Sequence, residues 1–170
     1  ALLAPTVMND LTPAEVLRLV PQRPPMRFID EILEIDGEHI LSKYTWKNED
    51  CAGHFPGNPV VPGVKMVEMA VQTSAVAWGI YLMGAKAGPE RLASMLNLFT
   101  HVDKGAFKKM VRPGETLSCR ARFGAEGFFR DGKLVAEIEI KFLGGPKDGE
   151  TAFTGVTSGL WIPKDSEKLK

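Results

Sequence analysis

The strongest constraint on this chain is one stretch of twenty residues, Val64 to Met83, that carries only two charges, Lys65 and Glu68. A helix apolar nearly all round has to be wrapped, either by lipid or by the rest of a protein. Both charges fall within the first two turns, where a charge in lipid is costly. The expectation is therefore a helix enclosed by a protein core, ending near Gly84, with Ala85 to Arg91 as a connector. At 170 residues the chain has the size of one ordinary domain, so this helix is the axis of that domain.

The flanking patterns say what wraps it. Thr12-Pro13-Ala14-Glu15 reads as a helix start, with Thr12 as the cap, Pro13 at the first position and Glu15 reaching back. That short helix stops before Pro21, and Pro24-Pro25 forces extended chain. Phe28 to Ile35 and His39 to Trp46 are predicted strands, turned at Asp36-Gly37. Beyond the long helix the period drops to two. Leu92 to Val102, Glu115 to Gly124, Leu134 to Leu143 and Thr151 to Ile162 are strand candidates, with Asp131-Gly132 and Asp148-Gly149 as hairpin signals. Short helix, two strands, long helix and four strands make an α+β layout in which an antiparallel sheet wraps the helix. Residues 11–163 are expected to form that single domain. Residues 1–10 read as an N-terminal extension or processing remnant, and residues 164–170 as a charged tail.

Charge and cysteine content exclude several classes. There are 21 basic and 21 acidic residues, so no global field holds nucleic acid or an anionic membrane. Two cysteines, Cys51 and Cys119, are too few for a disulfide framework, and a reduced cytoplasmic setting is expected. The run Gly144 to Gly149 lacks phosphate-loop spacing and reads as a turn.

Three histidines are present. His39 and His101 sit in strands beside charged residues and read as surface side chains. His54 lies in a loop stiffened by Pro56, Pro59 and Pro62 and turned by Gly53, Gly57 and Gly63, so little further entropy is lost in fixing it. Glu68 follows on the helix which that loop opens. Burying a lone carboxylate is costly; taking up a proton removes the cost and leaves a proton donor. A neutral histidine nearby would be the matching acceptor. Gln72 is four residues on, on the same face, placed to orient the acid. The competing reading is that Glu68 is an exposed helix-end residue favoured by the dipole. A thiol enzyme using Cys51 with His54 lacks an orienting third group. A metal site lacks a second spaced ligand pair, so no metal is expected.

The run from Gly53 to Val64 (GHFPGNPVVPGV), followed by Glu68 and Gln72, resembles the 3-hydroxyacyl-(acyl carrier protein) dehydratases of bacterial fatty-acid synthesis, FabZ type. Pro21 to Pro25 with Phe28-Ile29-Asp30, and Val102 to Glu115, extend the likeness over roughly residues 11 to 143. The resemblance implies a hot-dog fold, a bent antiparallel sheet around one long central helix. It implies a homodimer joined edge to edge, in some relatives a trimer of dimers, with His54 of one chain facing Glu68 of the other. The substrate would be a 3-hydroxyacyl thioester on the phosphopantetheine arm of acyl carrier protein, with no cofactor of the enzyme's own. Backbone amides of Gly63 and Val64 would hold the thioester oxygen, His54 and Glu68 would move protons, and Gln72, Phe55 and Pro62 would support them. Lys104, Lys108, Lys109 and Arg112, four positive charges within nine residues, would dock the acidic carrier.

The chain departs from the family pattern at three places: Gln22 stands where many relatives carry histidine, Asn48 to Ala52 is shorter and lacks phenylalanine, and the hairpin after Gly144 is longer. The bifunctional isomerase branch has aspartate where Glu68 stands, which argues for dehydration alone. The alternatives are a hot-dog thioesterase and a non-catalytic subunit that binds the acyl carrier.

Overall fold

The computed structural model describes residues 11–170, apart from the side chains of residues 85–87, 89 and 168; the expected N-terminal extension lies outside the described residues. Helix α1 (Pro13–Leu19) starts as its sequence dictates. The Thr12 hydroxyl accepts from the Glu15 amide and the Glu15 carboxylate accepts from the Thr12 amide, a reciprocal capping box. Strands β1 (Glu31–Ile35) and β2 (His39–Thr45) follow, with the Asp36 carboxylate closing the turn on the amides of Glu38 and His39.

The central helix is one rod with a widened middle. It comprises α2 (Gly63–Val71), a π-helical segment (Gln72–Trp78) and α3 (Gly79–Ala93). All seven residues of the π segment are buried. Its cause is visible across the interface with the last strand. The Ala75 carbonyl accepts from the Trp161 indole N–H at 2.8 Å, so an outside donor takes over a helix acceptor. Small residues let this happen. A Cβ at Gly79 would stand 2.4 Å from Trp161 Nε1, and one at Gly159 would stand 2.4 Å from the Ala75 Cβ.

Two sequence expectations need correction here. The rod continues past Gly84 to Ala93, so the expected connector is helical, broken only at Gly88 (φ 75°, ψ 165°). Gly88 precedes Pro89, whose ring disfavours the helical region for the residue before it. The following strand begins later and runs further than its pattern indicated, as β3 (Met95–Phe107).

Strands β4 (Thr116–Arg122), β5 (Phe128–Arg130), β6 (Lys133–Phe142) and β7 (Thr151–Pro163) complete an antiparallel sheet in the order β1-β2-β4-β6-β7-β3, with β5 paired to β6. The three-residue β5 carries too short a pattern to be read from sequence. Its turn to β6 has positive φ at both Asp131 and Gly132, the left-handed pair that an Asp-Gly hairpin demands. Evenly spaced residues of β4 and β6 (Leu117, Cys119, Ala121; Ala136, Ile138, Ile140) point at the rod and are buried. Two buried hydroxyl pairs, Ser42–Thr73 at 2.7 Å and Ser74–Thr157 at 2.9 Å, fix the rod's rotation against the sheet. The β3 edge is long and carries exposed Phe99 and Val102. No helix among the described residues is long and apolar enough to cross a membrane.

Candidate active site

His54 is held by its own loop. Its amide donates to the Cys51 carbonyl at 2.9 Å, and its carbonyl accepts from the Val60 amide at 2.8 Å. Phe55 and Asn58 exchange two backbone hydrogen bonds of 3.0 Å across the tight turn between them. Gly57 in that turn has φ 72°, a conformation other residues adopt only with strain. The ring is fixed by Nδ1, which lies 2.9 Å from the Val60 carbonyl oxygen. A carbonyl can only accept, so Nδ1 carries the hydrogen, and the lone pair of the neutral imidazole sits on Nε2. The Phe55 ring stacks on the imidazole with centroids 4.0 Å apart.

Beside His54 lies an open groove of about 390 Å³, whose apolar lining includes Val61, Gly63, Met66, Phe107 and Met110. Pro62 caps α2 and offers neither an N–H nor a side-chain acceptor, so the Gly63 and Val64 amides open the helix without a side-chain cap. The Phe107 ring packs where a Gly63 side chain would be, 2.8 Å from an ideal Cβ.

Glu68 is half-buried on α2 and faces another set of partners. The Gln72 amide nitrogen donates to Glu68 Oε1 at 2.9 Å and to the Met26 carbonyl at 2.6 Å, while the Gln72 oxygen accepts from the Phe28 amide at 2.8 Å. Gln72 is fully buried, and these bonds settle which way round its amide lies. Because an amide N–H only donates, Oε1 is the accepting oxygen.

Within one chain no hydrogen bond is found between His54 and Glu68, and Glu68 does not line the His54 groove. The structure gathers His54, Gly63, Lys108 and Lys109 at the groove and sets Glu68 with Gln72. The four cations are also divided. Lys104 pairs with Glu126 and lines a separate cleft with Arg120 and Glu137. Lys109 reaches Glu150 at 3.5 Å. Arg112 donates to the Asn58 side-chain oxygen at 2.8 Å and the Pro59 carbonyl at 3.3 Å. Cys51 is buried, and burial followed by the nearby Asp50 charge pushes its thiol up, which weighs against a thiolate nucleophile. Among the described residues no three His, Cys, Asp or Glu side chains cluster as a metal-ligand set. Reading the sequence missed the Val60 carbonyl, Asn58 and the apolar trio Met66, Phe107 and Met110. A backbone carbonyl leaves no compositional trace. The trio sits beside a motif already singled out, and that adjacency was the available signal.

Sequence comparison with known proteins converges on one family. The family model described as "FabA-like domain" matches residues 20–127. A 3-hydroxyacyl-(acyl-carrier-protein) dehydratase FabZ of Oenococcus oeni is 41% identical over 111 residues, covering 64% of this chain and 74% of that protein. The FabZ of Acetivibrio thermocellus is 35% identical over 144 residues, 78% of this chain and 93% of that protein. Among solved structures, a chain of the dehydratase heterocomplex ApeI:P from Xenorhabdus doucetiae superposes with a TM-score of 0.68 at 16% identity, covering 91% of this chain and 93% of that one. The architecture of sheet and rod is thereby a hot-dog fold.

Proposed function

The chain belongs to the FabA-like family and is homologous to the FabZ 3-hydroxyacyl-(acyl-carrier-protein) dehydratases, and from that premise we propose that it dehydrates a 3-hydroxyacyl thioester on acyl carrier protein with His54 as base and Glu68 as acid. The observation that carries the residue assignment is the fixed tautomer of His54, whose Nε2 lone pair is left free by the Nδ1 bond to Val60. A general base needs that lone pair within reach of the proton it removes.

The chemistry follows atom by atom. Nε2 takes the proton alpha to the thioester carbonyl. Negative charge grows on the carbonyl oxygen, which the Gly63 and Val64 amides at the helix start are oriented to receive. Glu68 Oε2 gives its proton to the 3-hydroxyl, the C–O bond breaks, water leaves and a trans-2-enoyl thioester remains. Gln72 holds Oε1, so the proton-bearing oxygen has one orientation. The apolar groove suits an acyl chain.

No hydrogen bond joins His54 to Glu68 within one chain, and Glu68 does not line the His54 groove; both facts support a homodimer in which the loop of one protomer faces the helix of the other. The exposed β3 edge, with Phe99 and Val102, is the surface that a second copy would extend. Lys108 and Lys109 at the groove rim are the cations placed to meet the carrier.

The test is turnover of a short 3-hydroxyacyl carrier substrate, read as enoyl absorbance and, separately, as free thiol. Enoyl formation without thiol release is expected, and thiol release without enoyl formation would instead identify a thioesterase. His54→Ala and Glu68→Gln should each lower kcat by about 10²- to 10⁴-fold with the fold retained; wild-type turnover in either variant removes that residue from the mechanism.

A further inference from the structure

We infer that Arg112 is a positioning residue for His54, a clamp on the catalytic loop and not a docking contact for the carrier. The inference deepens the dehydratase reading and rests on it for its kinetic part. Charge and sequence alone group Arg112 with the lysines. The structure gives its guanidinium other work. Nη1 donates to the Asn58 side-chain oxygen at 2.8 Å and, at 3.3 Å, to the Pro59 carbonyl. Asn58 is the backbone partner of Phe55, the residue after His54, and Pro59 precedes Val60, whose carbonyl fixes the His54 ring. One guanidinium therefore grips the return limb of the loop between the turn and the atom that sets the imidazole. The adjacent backbone closes the same seam, because the Val61 amide donates to the Val111 carbonyl at 2.8 Å.

The clamp is itself braced. Glu115 Oε2 accepts from the Arg112 amide at 2.8 Å, and Glu115 Oε1 pairs with Lys147 at 2.9 Å. Lys147 lies in the β6–β7 loop. The backbone behind Arg112 is tied to the core as well, with the Trp46 amide donating to the Glu115 carbonyl at 3.0 Å and the Gly114 amide to the Trp46 carbonyl at 2.8 Å. The path thus runs from a peripheral hairpin through Glu115 and Arg112 to the His54 loop. Shifting a reacting group by about 1 Å can cost on the order of 100-fold in rate, so an exposed arginine in this position can govern kcat.

Docking and positioning separate in the choice of substrate. Wild type, Arg112→Ala and Arg112→Lys are assayed on the carrier-bound 3-hydroxyacyl substrate and on its carrier-free N-acetylcysteamine thioester. Expected for Arg112→Ala is a kcat lower by about tenfold or more on both substrates, with similar KM for the carrier form and an unchanged unfolding midpoint. Arg112→Lys should restore only part of the rate, since the shorter lysine side chain cannot hold its ammonium where Nη1 sits between the two loop oxygens. A variant that keeps wild-type kcat on the free thioester and loses only KM for the carrier overturns the inference in favour of docking. A second readout needs no turnover. Amides of residues 54–61 should exchange faster with deuterium in Arg112→Ala; unaltered protection overturns the clamp even if the wild-type chain proves to dehydrate nothing, an outcome that by itself would count only against the dehydratase reading.

Discussion

The proposed base and the proposed acid of this site are held in opposite ways. His54 hangs from a surface loop whose shape comes from backbone pairing, glycines at positive φ and one external arginine. Glu68 stands on a helix inside the wrapped core, oriented by a single fully buried glutamine that is bonded to Met26, Phe28 and Glu68 at once. The loop can be disturbed with little loss of core contact, whereas the helix side cannot be changed without breaking the core. The difference teaches where stability and activity part company: they should separate at the loop and move together at the helix.

The sharpest way to break that comparison is to separate the two sides onto different chains. On the proposed dimer, refolding His54→Ala with Glu68→Gln protein should give mixed dimers in which one of the two shared sites is intact, so activity should recover to about a quarter of wild type from two nearly dead parents. No recovery after verified exchange would place both residues in the same chain's site.

Gln72→Leu probes the helix side. It strands the Phe28 amide in the core, at about 1–3 kcal/mol, and leaves the part-buried Met26 carbonyl without this partner, so urea unfolding should shift strongly and kcat should fall with it. Asn58→Ala, on the loop, should lower kcat with stability nearly unchanged. Equal stability losses in the two would erase the proposed distinction.

Gly79→Ala tests the widened turn behind Gln72. The added Cβ would collide with the Trp161 indole, and overpacking of this kind costs about 1–3 kcal/mol. A melting temperature equal to wild type would show that the rod and β7 can part without penalty.

The smallest expected signal is chemical. Burial pushes the Cys119 thiol up to about 12, and raises that of Cys51 to a lesser extent. The thiolate is the reactive form, so near pH 8 native protein should label slowly with a disulfide reagent, with both thiols reacting once unfolded. Labelling should quicken as pH rises, with Cys51, next to the loop, ahead of Cys119. Fast labelling of Cys119 would mean that the core side opens more easily than its contacts imply.

Some of this was written locally. The capping box at Thr12, the Asp131-Gly132 turn and the enclosed rod all follow from preferences and periodicities within about ten residues; the first two stand where their patterns put them, and the rod is enclosed as its pattern requires but runs on past Gly84 to Ala93. The site motif was equally legible, because a histidine among prolines and an acid in an apolar helix are anomalies that a short window exposes. Tertiary packing decided what no window holds. The π segment arises because Trp161, 86 positions from Ala75, donates to its carbonyl, and an all-round apolar helix gives no hint of which turn an outside donor will open. The grouping of Lys104 with Arg112 by sequence is also divided in space, since Lys104 pairs with Glu126 and lines a separate cleft while Arg112 bonds Asn58. Local sequence sets torsion angles and which faces shun water; which distant groups then meet depends on how the sheet closes around the rod.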